Sequence, residues 1–324
     1  MLFDTHDRQF NYVRLSITDV CNFKCNYCLP DGYQKQAKNS FLNVQEITNL
    51  AHALRAVGVS KIRITGGEPS LRKDLPTIIH TLKHTAKIPT VALTTNGYRL
   101  KEQVQSWFDA GLDQLNVSID SLHPSQFNLI TGSQKLQAIL DGLDKAVTLG
   151  FSQIKVNVVL LRQFNVSEFS DFLAWVKDKP MTLRFIELMQ TGDNVAFYQE
   201  QHVRAAALEQ QINQSGWVRK LRANDAGPAN EYQHPEYLGQ IGFITPYGDE
   251  FCSTCNRMRI SATGKLHTCL FSEEGLDARE LMQHPNQQEA LQQWLIQQAY
   301  HKKATHELHE ERTGATTHLA MLGG

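Results

Sequence analysis

Six runs rich in β-branched and aliphatic residues are spaced through the first two-thirds of this 324-residue chain: Val13–Ile17, Lys61–Thr65, Thr90–Thr94, Gln114–Ile119, Ile154–Leu161 and Thr182–Leu188. Between them lie amphipathic stretches such as Val44–Val57, Leu75–Lys83, Gln134–Leu149 and Ser167–Val176. In the first of these, Val44, Ile47, Leu50, Ala51, Leu54 and Val57 recur at helical spacing. Strands separated by helices make parallel βα units joined by right-handed crossovers. Six units fall short of the eight of a closed barrel, so the α/β pattern allows an open partial barrel or a doubly wound sheet, and periodicity does not separate them.

After Met189 the pattern changes. Gln199–Gly216 reads as a helix, Ala223–Asn230 as a loop, Arg257–Ser261 and Lys265–Cys269 as short strands, and Asp277–Lys303 as a polar helix or helix pair. The expected division is an N-terminal segment (1–12), a barrel (13–220) and a C-terminal region (221–324). The 32 basic residues nearly balance the 33 acidic ones, which gives no sign of wholesale nucleic-acid or membrane binding. No secretory signal and no apolar run of membrane-spanning length is seen, so a soluble, cytoplasmic protein is expected.

The six cysteines fall in two groups, Cys21/Cys25/Cys28 and Cys252/Cys255/Cys269, with none between. Metal or redox chemistry explains such grouping better than disulfides do. The first group, spaced C-x3-C-x2-C, directly follows the first strand and so stands at the mouth where active sites of parallel α/β folds gather. Three thiolates can hold three irons of a cubane, leaving the fourth iron open to a ligand. The alternative is structural zinc, although no histidine lies between Asp7 and Val44 to complete a local site. The second group, C-x2-C-x13-C, has a sharper zinc alternative, because His267 sits two residues before Cys269. Against zinc stand Arg257 and Arg259, alternate residues of a strand with side chains on one face, which form a receptor for an anion such as triphosphate.

The first triplet, with Tyr27 before its last cysteine, resembles the signature of the radical S-adenosylmethionine superfamily. Gly66-Gly67-Glu68-Pro69, after the second strand, resembles that superfamily's turn for the cofactor's amino group. Glycine lets backbone come close, and the Gly67 carbonyl and Glu68 carboxylate are acceptors for an ammonium. By the same resemblance Ser118 meets the ribose and Met189 the adenine of S-adenosylmethionine. The superfamily implies a partial (βα)6 TIM-type barrel with a C-terminal iron–sulfur extension covering its opening. It also implies that an electron from the first cluster cleaves S-adenosylmethionine to methionine and a 5′-deoxyadenosyl radical.

Nearly the whole chain is similar to the GTP 3′,8-cyclase family, the A proteins of molybdenum cofactor biosynthesis. The segments that carry this are Arg14–Cys25, Lys61–Pro69, Leu93–Gly97, Cys255–Leu266 and the terminal Gly323-Gly324. The resemblance implies two 4Fe–4S clusters, the second contacting guanine, and GTP ligands at Arg14, Arg63, Thr94, Lys155, Arg257 and Arg259. It implies that the Gly-Gly tail reaches the active site, although His318–Leu322, Val20 and Lys24 depart from the family pattern. The implied product is (8S)-3′,8-cyclo-7,8-dihydroguanosine 5′-triphosphate. The implied partners are a flavodoxin or ferredoxin as electron donor and a downstream cyclic pyranopterin monophosphate synthase, with a homodimer left open. The rival readings are a peptide-modifying radical enzyme with an auxiliary cluster and a non-catalytic zinc-binding protein.

Overall fold

In a computed structural model of the protein, residues 1–324 are described except for 35–39, 222–226, 249, 311, 315 and 324. Strands β1 (Tyr12–Ser16), β2 (Lys61–Thr65), β3 (Thr90–Thr95), β4 (Gln114–Ser118), β5 (Gln153–Leu160) and β6 (Thr182–Glu187) pair in sequence order, all parallel. Helices α1 (Val44–Ala56), α2 (Leu75–His80), α3 (Leu100–Asp109), α4 (Pro124–Thr131), α5 (Leu136–Leu149) and α6 (Phe169–Val176) make the crossovers. The barrel is therefore the partial TIM-type one, and α3 and α4 are helices that the sequence reading did not pick out.

The C-terminal region does more than cover an opening. With β7 (Val218–Arg219) just before it, it supplies β8 (Asn230–Gln233), β9 (Gln240–Ile244), β10 (Arg257–Ile260), β11 (Lys265–His267) and β12 (Leu276–Asp277). Strand β9 adds parallel to β6, and β10 adds parallel to β1 at the other edge. Eight parallel strands thus stand side by side, yet β9 and β10 share no ladder. The connection between them, which includes α9 (Glu250–Ser253), runs from the carboxyl end of β9 to the amino end of β10.

Alternation along the strands separates two environments. Val13, Leu15, Ile62, Ile64, Val156, Val158, Leu183 and Phe185 are all at most 1% exposed and belong to the apolar core. Burial of each contributes about 1.5–3 kcal/mol. The alternate residues, such as Arg14, Arg63, Lys155 and Arg184, line an internal cavity instead. Helix α1 begins at a capping box: the Asn43 side chain accepts from Glu46 N–H and the Glu46 carboxylate accepts from Asn43 N–H. Glu46 also takes Arg279 at 2.8 Å, which fastens α1 to the C-terminal region beside α10 (Gln288–Tyr300).

The expected helix 199–216 is two helices, α7 (Val195–Gln201) and α8 (Ala206–Gln214). The break persists because its backbone groups find other partners. Ala205 N–H donates to the Glu187 carboxylate at 2.8 Å, and the carbonyls of Gln201 and His202 accept from Arg162. The expected loop at 223–230 falls partly outside the described residues, and Asn230 already begins β8. The expected C-terminal helix pair is two 3₁₀ turns, Arg279–Met282 and Pro285–Gln287, followed by α10.

Candidate functional site

One cavity runs through the barrel, and all six cysteines line it. They do so from opposite ends. The first triplet follows the carboxyl end of β1, whereas Cys255 lies two residues before Arg257, which is in register with Tyr12 at the amino end. Strand β11 runs antiparallel to β10, so Cys269 returns to that same amino end. None of the six is in a disulfide.

At the carboxyl end the cysteine loop is locked to the turn after β2. Gly67 N–H donates to the Thr18 carbonyl and Glu68 N–H to the Val20 carbonyl, each at 2.7 Å. A Cβ on Gly66 would overlap the Thr18 oxygen, and one on Gly67 the oxygens of Asp19 and Val20. The close approach that requires glycine here is therefore made by the chain itself. Glu68 does not line the cavity; its fully buried carboxylate accepts from Ser70 N–H, Thr95 hydroxyl and Asn96 N–H. Tyr27, Gly67, Ser118 and Met189 do line it. The Tyr27 hydroxyl donates to Asp120 at 2.9 Å, and Asp120 also accepts from Val159 N–H. Burial raises the Asp120 carboxyl to about 6 and drives the thiols up, Cys21 to about 11 and Cys28 to about 12.

The amino half of the cavity is cationic. Arg14 and Arg63 are in register, as are Arg14 and Arg259. Arg63 donates to the Tyr12 hydroxyl at 2.6 Å and contacts Thr94, while Lys155 pairs with Glu231 at 2.9 Å. Burial and the neighbouring Arg184 charge bring the Lys155 ammonium down to about 8. Burial alone would raise the Tyr12 phenol, but the charges of Arg63, Arg14 and Lys61 outweigh it and hold the phenol near 7. Burial likewise opposes ionisation of Cys255, and the Arg257 and Lys302 charges overcome it, bringing the thiol to about 6.

The C-terminal segment enters this cavity. Ala320 N–H meets the Cys28 sulfur, the Gly323 carbonyl accepts from Arg14, and Arg259 donates to the carbonyls of Leu322 at 2.9 Å and Gly323 at 3.1 Å. A Cβ on Gly323 would overlap Thr65. The departures at His318–Leu322 therefore do not prevent docking; Gly324 lies outside the described residues.

Cys21, Cys25 and Cys28 at one end and Cys252, Cys255 and Cys269 at the other are three-thiol sets of the kind that hold iron–sulfur clusters. Among the described residues no three His, Cys, Asp or Glu side chains converge closely enough to hold one metal ion. Thiols bound to separate irons of a cube stand wider apart than ligands of one ion. His267 bonds Ser272 at 3.2 Å and lines a neighbouring depression rather than the cavity of the cysteines.

Residues 15–176 match the Radical SAM superfamily, and 181–308 match the family described as Molybdenum Cofactor Synthesis C. The chain is 52% identical to the GTP 3′,8-cyclase of Tolumonas auensis, over 100% of this chain and 96% of that one. It is 50% identical to the GTP 3′,8-cyclase of Vibrio cholerae, over 99% and 97%. The chain belongs to the GTP 3′,8-cyclase family. Among solved structures, Streptococcus suis SuiB bound to S-adenosylmethionine superposes with a TM-score of 0.62 at 14% identity, over 84% of this chain and 64% of that one. That likeness concerns the fold.

Within this GTP 3′,8-cyclase family chain, the cavity gathers both cysteine triplets and the residues expected at cofactor and substrate, apart from Glu68. It adds residues that sequence reasoning missed: Tyr12, Lys61, Asp120, Arg184 and Lys302. A signal for three of them was available. Tyr12 stands two residues before Arg14, Lys61 two before Arg63, and Arg184 holds the middle of β6. Period-two polarity on strands buried on their other face marks a polar interior.

Proposed function

We propose that Cys21, Cys25 and Cys28 would hold one 4Fe–4S cluster beside S-adenosylmethionine, and that Cys252, Cys255 and Cys269 would hold a second beside GTP. The activity is that of a GTP 3′,8-cyclase, a lyase that converts GTP to (8S)-3′,8-cyclo-7,8-dihydroguanosine 5′-triphosphate at the start of molybdenum cofactor biosynthesis. The observation that carries the reading is one cavity with a thiol triplet at each end and arginines between them.

When bound, the first cluster with S-adenosylmethionine supplies the one-electron chemistry that removes the C3′ hydrogen of GTP before C3′ bonds to C8. The chain's own residues position and shield. Arg14, Arg63, Lys155, Arg257 and Arg259, with Thr94, grip the triphosphate and ribose and fix where C3′ lies. Arg14 and Arg259 exchange the tail carbonyls for phosphate oxygens as GTP enters. Tyr27, Gly67, Ser118 and Met189 border S-adenosylmethionine, while Glu68 holds the turn through Ser70, Thr95 and Asn96. The tail and the barrel wall exclude water and stray hydrogen donors.

Segment 1–12 fastens the amino end, 13–220 carries the cofactor and 221–324 carries the second cluster and tail. A flavodoxin or ferredoxin supplies electrons, and a cyclic pyranopterin monophosphate synthase takes the product in the cytoplasm; a homodimer is compatible with the reading. Among the described residues no helix is long and apolar enough to cross a membrane. The test is anaerobic reconstitution, iron and sulfide counting, and GTP turnover. About eight irons per chain and a cyclised nucleotide are expected. Turnover of a peptide with no cyclised GTP product would overturn the reading.

A further inference from the structure

The residues after α10 turn beneath the amino end of the barrel, and they place a buried cation against the second triplet. Lys302 is 5% exposed. Its ammonium lies 3.4 Å from Cys255 Sγ, 2.7 Å from the Arg257 carbonyl and 2.6 Å from the Thr268 carbonyl. Three protons thus meet three acceptors. The acceptors sit on the segments that carry Cys255 and Cys269, so one side chain ties the two together. On its other side the ammonium is 4.8 Å from the centre of the Phe10 ring.

Arg8 approaches the same ring, its guanidinium carbon 6.0 Å from the ring centre. It donates to the Cys252 carbonyl at 3.0 Å, to Ala304 O and Lys303 O at 2.6 Å each, and is held by Asp4 at 2.6 Å. Arg8 therefore has its own counter-charge. Lys302 has carbonyl dipoles and one sulfur, and a buried ammonium is costly unless negative charge lies beside it. A thiolate of an iron–sulfur cluster supplies that charge, and N–H bonds to such sulfurs are among the groups that set cluster potentials.

We propose that Lys302 is a positioning residue that sets the reduction potential of the second cluster through its N–H···S bond to Cys255. The proposal rests on reading Cys252, Cys255 and Cys269 as cluster ligands. A cation fixed beside the cluster favours the added electron, so its removal moves the potential to more negative values.

The test uses the full-length chain with Cys21, Cys25 and Cys28 replaced by alanine, so that a single cluster remains. Iron counting comes first. Failure of this parent to hold iron sinks the cluster-ligand reading and the role of Lys302 with it. In the Lys302→Met version, at equal iron content, the ratio of reduced to oxidised cluster at a fixed potential is expected to fall about tenfold by electron paramagnetic resonance. An unchanged ratio would overturn the proposal. A second measurement needs no variant at residue 302. With Nε-¹⁵N-lysine incorporated into the parent, pulsed resonance of the reduced cluster is expected to show a lysine nitrogen coupling. Its absence would overturn the proposal even if Lys302→Met loses its iron.

Discussion

The two ends of the barrel carry the same three-thiol donor set in opposite electrostatic settings. Asp120 and Glu187, each 2% exposed, line the cavity together with Cys21, Cys25 and Cys28. Arg257, Arg259 and Lys302 accompany the second triplet, where Cys255 is the thiol brought down to about 6. On the proposed arrangement, the difference teaches how one chamber would sort two charged molecules. S-adenosylmethionine bears a sulfonium and an ammonium against one carboxylate, so its net positive charge suits the end with the acids. GTP is strongly negative and suits the end with the guanidiniums.

The largest effect should come from breaking one end at a time. Cys28→Ala and Cys269→Ala should both abolish the cyclised nucleotide. Only Cys28→Ala should also abolish cleavage of S-adenosylmethionine, read as 5′-deoxyadenosine by chromatography. Cyclisation that survived in Cys269→Ala would break the comparison.

Next in size, Arg259→Lys should lower kcat/KM for GTP roughly 100-fold, because a point charge does not replace a forked donor. Affinity for S-adenosylmethionine, measured by calorimetry on the same preparation, should stay within about twofold. The reverse change is smaller. Asp120→Asn should weaken S-adenosylmethionine about tenfold while leaving GTP nearly unaffected.

The subtlest difference is in pH. Asp120 ionises near 6, so affinity for the cationic cofactor should rise as pH passes upward through that value. Tyr12 gains negative charge above about 7 and Lys155 loses positive charge above about 8, so GTP affinity should fall between about 7 and 9. Tyr12→Phe should remove the lower part of that fall. Parallel pH slopes for the two ligands would mean that the ends do not differ in the way described.

Much of this was legible in the chain. The six barrel strands are long and clearly periodic, and β2 coincides with its expected bounds. The thiol triplets and the paired arginines of β10 could be read from spacing alone. The placement of β9 and β10 was harder to read, because it depends on pairing with β6 and β1 across long stretches of chain. The Gly66-Gly67 turn was expected to let backbone approach a ligand, and in the structure Thr18–Val20 pack closely against it as well. The Glu68 carboxylate was expected to accept from the cofactor's ammonium, and in the structure it accepts from Ser70, Thr95 and Asn96. Neither fact is visible locally, since both require the cysteine loop to fold back onto β2.

The position of β1 has a consequence for how the molecule is made. Its first residues leave the ribosome early, yet one of its two pairing partners, β10, begins only at Arg257. Until that stretch emerges, the outer row of β1 amides and carbonyls has no ladder, and an exposed strand edge invites pairing with other chains. Closure of this edge waits on long-range contact, which slows folding. A nascent chain stalled before β10 would hold the first thiol triplet complete while lacking one of the eight parallel strands of the wall.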